Sequence, residues 1–178
     1  GMASQWISFD DNEQQLLKDF VGENVRISWG LLFMAGWAQV LHRYSGKDDV
    51  IFGYIRACRN GPLEGIQDIV GLLLNTVLFK SSCHAETNTS DYLTQVRAQM
   101  SAVRPHERAP LSKVRKWSDI KGGAPLFESL LVIQPYEKNN FFNLKEPESP
   151  WLNREVWQEA MPGNPVTLNC YSGDTVDI

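Results

Sequence analysis

The sequence predicts an α/β fold of the α+β kind, a two-layer sandwich in which helices cover a mixed β-sheet. Three observations predict it. At 178 residues and 43% apolar content, the chain can bury one sizeable core, so residues 1–178 are read as a single domain. Helical periodicity comes in two pairs of segments, with strand patterns between the pairs and again after the second. The segment Phe127 to Gln134 is so apolar that it belongs in the middle of a sheet.

Asp11 and Asn12 are caps for a short helix to about Val21, with Leu16, Leu17 and Phe20 on one face and Gly22 as the stop. Ser28 caps a longer helix to about Tyr44. It is apolar on nearly every face, which predicts burial between layers, and Ser45-Gly46 ends it. Asp49 to Ala57 is a strand rich in Val, Ile, Phe and Tyr, and Arg59-Asn60-Gly61-Pro62 is loop punctuation. A short helical turn is expected over Gly65 to Asp68.

The run Ile69 to Val77 reads as a buried strand whose polar end, Asn75-Thr76, is where chemistry or a contact sits; the regular strand is placed from about Leu73 to Ser81. A third helix starts at Ser90 or Asp91 and stops at about Val103, because Pro105 forbids its continuation. A fourth spans Pro110 to Trp117, with Pro in the tolerated first turn. The polar stretch Glu137 to Pro150 reads as a loop carrying Phe141 and Phe142. Strand signals return at Glu155 to Ala160, Pro165 to Tyr171 and Thr175 to Ile178.

Charge excludes some functions. A net charge of −4 leaves no basic footprint for nucleic acid, and the cluster Lys113, Arg115 and Lys116 is too short to make one. The longest apolar stretch, Ile27 to Leu41, falls short of the roughly 20 residues that span a bilayer, so no membrane partner is expected. Cys58, Cys83 and Cys170 are odd in number and form no C-x-x-C, which predicts reduced thiols, no zinc site and a cytoplasmic setting.

Four segments, in order, carry a resemblance. These are Tyr44-Ser45-Gly46-Lys47-Asp48-Asp49-Val50-Ile51-Phe52-Gly53, Ile69-Val70-Gly71-Leu72-Leu73-Leu74-Asn75-Thr76, His106-Glu107-Arg108-Ala109-Pro110-Leu111 and Pro125-Leu126-Phe127-Glu128-Ser129-Leu130-Leu131-Val132. Together they resemble the condensation domain of nonribosomal peptide synthetases, a family built from two chloramphenicol-acetyltransferase-like lobes with the active site in a tunnel between them. The resemblance covers the second, C-terminal lobe. Ala57-Cys58-Arg59-Asn60 stands where that family usually has Ser-Gly-Arg-Pro.

The resemblance implies amide-bond formation between acyl and aminoacyl groups carried on the phosphopantetheine arms of peptidyl carrier proteins, with no cofactor bound directly. It also implies a missing partner, the N-terminal lobe with its HHxxxDG motif, because His42, His84 and His106 never stand side by side. No catalytic residue is therefore assigned, and the chain alone is expected to be inactive. Arg59, Asn75, Thr76 and His106 are the tunnel or lobe-interface candidates. Arg59 suits a carboxylate or a tunnel wall through its forked donors, Asn75 needs partners if buried, and His106 fits a helix entry better than a base. A stand-alone module that pairs with another lobe, or with a second copy as a homodimer, is the alternative reading.

Overall fold

The computed structural model describes residues 3–59, 63–120, 123–135, 163–172 and 176–178. Four helices, α1 (Asp11–Glu23), α2 (Trp29–Ser45), α3 (Thr89–Val103) and α4 (Leu111–Trp117), accompany a mixed sheet of β1 (Asp49–Arg56), β2 (Asn75–Ser82), β3 (Ser129–Pro135), β4 (Val166–Ser172) and β5 (Val176–Asp177). A 3-10 turn, Arg104–His106, joins α3 to the segment before α4. The strand order is β2-β1-β3-β4-β5, so β3 is central as its apolar sequence predicts. Strand β1 runs antiparallel to β2 and parallel to β3, and β4 is parallel to β3 and antiparallel to β5.

Helices α2 and α3 cover one face of this sheet. Met34 and Ala38 from α2, Val96 from α3, Phe52 from β1, Phe79 from β2, and Leu131 from β3 meet in one core from which water is excluded. Polar groups tie the two layers together. Tyr92 Oη donates to the Ala35 carbonyl at 3.2 Å and lies 3.2 Å from Ser81 Oγ, while Trp37 Nε1 donates to Ser129 Oγ at 2.7 Å. A buried hydroxyl or indole N–H without such a partner costs roughly 1–3 kcal/mol, so these side chains fix how the helices sit on the sheet.

Several local expectations need correction. Asp10, not Asp11 or Asn12, caps α1, and it does so in a reciprocal box with Glu13: the Asp10 carboxylate accepts from Glu13 N at 2.8 Å and Glu13 accepts from Asp10 N at 3.0 Å. The helix runs past Gly22 to Glu23, where Asn24 Nδ2 donates to the Phe20 carbonyl at 2.7 Å. Ser28 caps α2 as read, and Gly46 leaves it at a φ of 66° that favours glycine. Yet α2 is not buried all round. Tyr44 is 89% exposed, because only one side of the helix meets the sheet.

Pro110 lies just outside α4 as its N-cap residue rather than in the first turn. Residues 63–68 form successive turns, not a helical turn. The segments Glu137 to Pro150 and Glu155 to Ala160 lie outside the described residues. The largest correction concerns Ile69 to Leu74. This run is not a strand and is not buried: Val70 is 99% and Leu72 82% exposed, and β2 begins only at Asn75.

Two features give measurable expectations. Gly53 of β1 faces the Phe127 ring so closely that an added Cβ would lie 2.6 Å from Phe127 Cε2. Gly53→Ala is expected to destabilise by about 1–3 kcal/mol, the usual range for overpacking. Adding Phe127→Leu should recover part of that loss in denaturant titrations.

Burial pushes the Cys170 thiol up to about 12, and burial, followed by the Cys83 contact, raises the Tyr92 phenol above its ordinary value. Both groups bind their proton more tightly folded than unfolded. Their stabilisation is therefore complete below the unfolded values and is lost as pH rises through the folded ones. Melting temperature should fall as pH climbs from about 9 toward 12, and Cys170→Ala and Tyr92→Phe should each flatten that slope while lowering the neutral baseline.

Candidate functional site

Strand β1 ends and β2 begins side by side, with Arg56 directly opposite Asn75 in the antiparallel register. The end of β1 and the start of β2 thus place a cation and an amide side by side, and both reach the same segment, residues 107–109 before α4. Arg56 Nε bonds Glu107 Oε2 at 3.0 Å, and the Glu107 side chain is only 7% exposed. Asn75 Nδ2 donates to the Glu107 carbonyl at 2.7 Å and to the Ala109 carbonyl at 3.0 Å. The Cys58 thiol lies 3.5 Å from that same Glu107 carbonyl. A buried carboxylate is tolerated only when a counter-charge and hydrogen bonds compensate its lost hydration, and Arg56 supplies the charge.

Cys58 sits at a φ of 49°, a left-handed conformation that costs a side-chain-bearing residue but not glycine. Burial, then the nearby Glu107 carboxylate, pushes its thiol above the usual value. A thiol held protonated is a poor nucleophile.

Arg59 forms a second clamp. Its Nη1 donates to the carbonyls of Ile69 at 2.9 Å, Gln67 at 3.3 Å and Ile66 at 3.4 Å, and its Nη2 donates to Gly71 at 3.0 Å. One guanidinium therefore gathers the backbone carbonyls of the 66–71 loop on its inner side, and the apolar side chains of Val70 and Leu72 point to solvent. Gly71 completes the turn at a φ of 146°, open to glycine. These carbonyls find a side chain instead of a β-ladder, which is why the apolar run fails to become a strand.

The four candidates thus occupy different places. Arg59 closes the loop. Asn75 pins the 107–109 segment to the start of β2. Thr76 is half-buried on β2 opposite Ile55. His106 is exposed in the 3-10 turn, where its carbonyl accepts from Ala109 N at 2.9 Å. Arg56 and Glu107 were missed by sequence reasoning; the available signal was a cation closing an apolar strand. Among the described residues no group of three metal-ligating side chains gathers, and no helix is long and apolar enough to cross a membrane.

Comparison with known proteins bears on this geometry. Residues 2–156 match the condensation domain family, and the chain belongs to it. A linear gramicidin synthase of Brevibacillus parabrevis is 33% identical over 155 residues, 86% of this chain and 3% of the relative. The nonribosomal peptide synthetase opaA of Aspergillus ustus is 36% identical over 103 residues, 58% of this chain and 3% of the relative.

Among solved structures, holo T3CT superposes with a TM-score of 0.70 at 18% identity, covering 86% of this chain and 36% of the other. The first condensation domain of the calcium-dependent antibiotic synthetase, in complex with a substrate analogue, gives 0.62 at 20%, covering 75% and 29%. At those identities the superpositions establish the fold. The chain spans a small fraction of its curated relatives' length.

The Arg59 clamp has a direct test. Arg59→Ala should free the carbonyls it holds and speed amide exchange across residues 66–71, corresponding to a local loss on the order of 1–3 kcal/mol. Arg59→Lys should not restore protection, because an ammonium lacks the planar fork that reaches several acceptors together.

Proposed function

We propose that this chain is the C-terminal lobe of a nonribosomal peptide synthetase condensation domain and supplies one wall of the tunnel in which carrier-bound acyl and aminoacyl groups are joined by an amide bond. The observation that carries this reading is the shelf made by Ile69, Val70, Leu72 and Leu74. These are apolar side chains held outward on a backbone that Arg59 and Gly71 shape from beneath. Apolar groups presented on a fixed loop suit a permanent contact, since burying each removes its surface from water at about 25 cal/mol per Å² without ordering a floppy segment.

The contact is with the other lobe, the one that carries HHxxxDG. The His residues present here supply no equivalent pair. Arg59, Asn75 and Thr76 serve the tunnel by shaping the loop and strand that face it, and His106 serves as the entry to the segment held by Glu107. Substrates arrive on the phosphopantetheine arms of peptidyl carrier proteins, and this chain itself holds no cofactor.

Mixing the chain with a separately produced N-terminal half and with loaded carrier proteins tests the reading. Product is expected by mass spectrometry only when both halves are present. Val70→Asp together with Leu72→Asp should abolish that product while leaving the stability of the isolated chain within about 0.5 kcal/mol of its original value, as for surface substitutions. In isolation the same shelf should pair two copies across a two-fold axis, seen as concentration-dependent light scattering that the double substitution removes. Product from the chain alone would overturn the proposal.

A further inference from the structure

The two edges of the sheet are treated differently. At the β5 side the N-terminal segment closes the ladder: Ile7 N donates to the Ile178 carbonyl at 2.8 Å and Ile178 N returns a bond to Ile7 at 3.0 Å. At the β2 side the register sets which groups are spent. Cys83 N bonds the Asp48 carbonyl at 2.7 Å, so alternation along the antiparallel ladder turns residues 77, 79 and 81 toward β1 and the backbone N–H and C=O groups of Thr76, Leu78, Lys80 and Ser82 outward. No partner strand lies beyond β2 among the described residues.

An exposed edge is usually guarded, commonly by a lysine whose charge repels an incoming strand. Lys80 is in position for that task but is turned away from it. Its Nζ is 2.8 Å from Asp49 Oδ2, and Asp49 also accepts from Ser82 Oγ at 2.6 Å. Hydrogen bonds from Lys80 and then Ser82 hold the Asp49 carboxyl below its ordinary value. The lysine is thereby folded back across β1.

Beside the open edge runs a cleft of about 260 Å³ bounded by Lys80, Ser81 and Ser82 on one side and by Gln95, Val96 and Gln99 of α3 on the other. Gln95 also borders the next recess, lined by Glu86, Thr87, Asn88, Asp91 and Thr94, in which Asn88 Nδ2 donates to Asp91 Oδ2 at 2.7 Å and the Glu86 carboxylate adds a second negative charge. Main-chain groups with no strand partner among the described residues, two amides one helical turn apart and an acidic end thus adjoin one another.

We infer that this line is a docking groove for an extended polypeptide segment that adds to β2 as a sixth, antiparallel strand, with a basic residue near its N-terminus over Glu86 and Asp91. Main-chain pairing supplies the affinity, the Gln95 and Gln99 amides bond the far side of the added strand, and the acidic recess sets direction. This site starts at Thr76, next to the Ile69 to Leu74 shelf, and runs away from it along β2; its occupant is a strand rather than a lobe.

The probe is a fluorescein-labelled synthetic peptide of alternating Thr and Val with Lys at its N-terminal end. Its binding to the whole chain is followed by fluorescence anisotropy, with amide exchange read at Thr76, Leu78, Lys80 and Ser82. Saturable binding with slowed exchange at those four amides is expected. A peptide N-methylated on the pairing edge should lose binding, and Glu in place of Lys should weaken it by about tenfold or more.

Leu78→Pro removes an outward N–H and should abolish binding if the variant folds, as Pro is tolerated at edge positions. Gln95→Ala with Gln99→Ala, on a helix that favours Ala, tests the groove without touching the sheet. Equal binding of the N-methylated peptide, no change in exchange at the four amides, or full affinity in the double Ala variant would each overturn the inference. Protection of the same amides by self-association without peptide would also overturn it, in favour of a second copy as the occupant.

Discussion

The buried carboxylate of Glu107 is the constraint on which this end of the molecule depends. It sits where three chain segments converge: the exit of β1 at Arg56, the turn at Cys58 and the start of β2 at Asn75. Its side chain needs the Arg56 charge, and its carbonyl takes the Asn75 amide. The position of each partner follows from the register that places Arg56 opposite Asn75. Removing one partner of such a buried pair is costly, because the remaining charge has lost its hydration and has no replacement. The link to α4 is thereby fixed to the sheet although no residue of α4 itself is buried.

Much of the framework was legible because it is local. Ser28 and Gly46 bracket α2 by capping chemistry that acts within a turn, and the apolar sequence of β3 led to the central place it holds. The fold class and family were legible for another reason, since four short motifs in order are harder to meet by chance than any one of them. The capping of α1 was misplaced by one residue because Asp10, Asp11 and Asn12 are all competent caps; only the reciprocal bond with Glu13 selects among them.

The site was less legible, and the reason is distance along the chain. An apolar run such as Ile69 to Leu74 is satisfied equally well as a buried strand or as an exposed loop whose carbonyls are met by a donor elsewhere. Arg59, about ten residues earlier, decides between them. Likewise His106 draws attention as a titratable group, yet its neighbour Glu107 is the buried one, and only the β1/β2 register shows why. Asn75 needs partners for its amide, and the ones it finds are the Glu107 and Ala109 carbonyls, more than thirty residues further along the chain.

These two failures share a physical pattern. At both clamps an arginine takes over a task that regular structure would otherwise perform. Arg56 neutralises a buried acid where the strand ends, and Arg59 satisfies carbonyls where no ladder runs. Each frees neighbouring atoms for an outward role, since a loop whose polar atoms are already bonded can present apolar side chains without leaving orphaned carbonyls behind when a partner excludes water. That arrangement separates affinity from folding. The exposed side chains of Val70 and Leu72 bury little surface in the fold itself, while Arg59 and Gly71 hold the backbone that displays them.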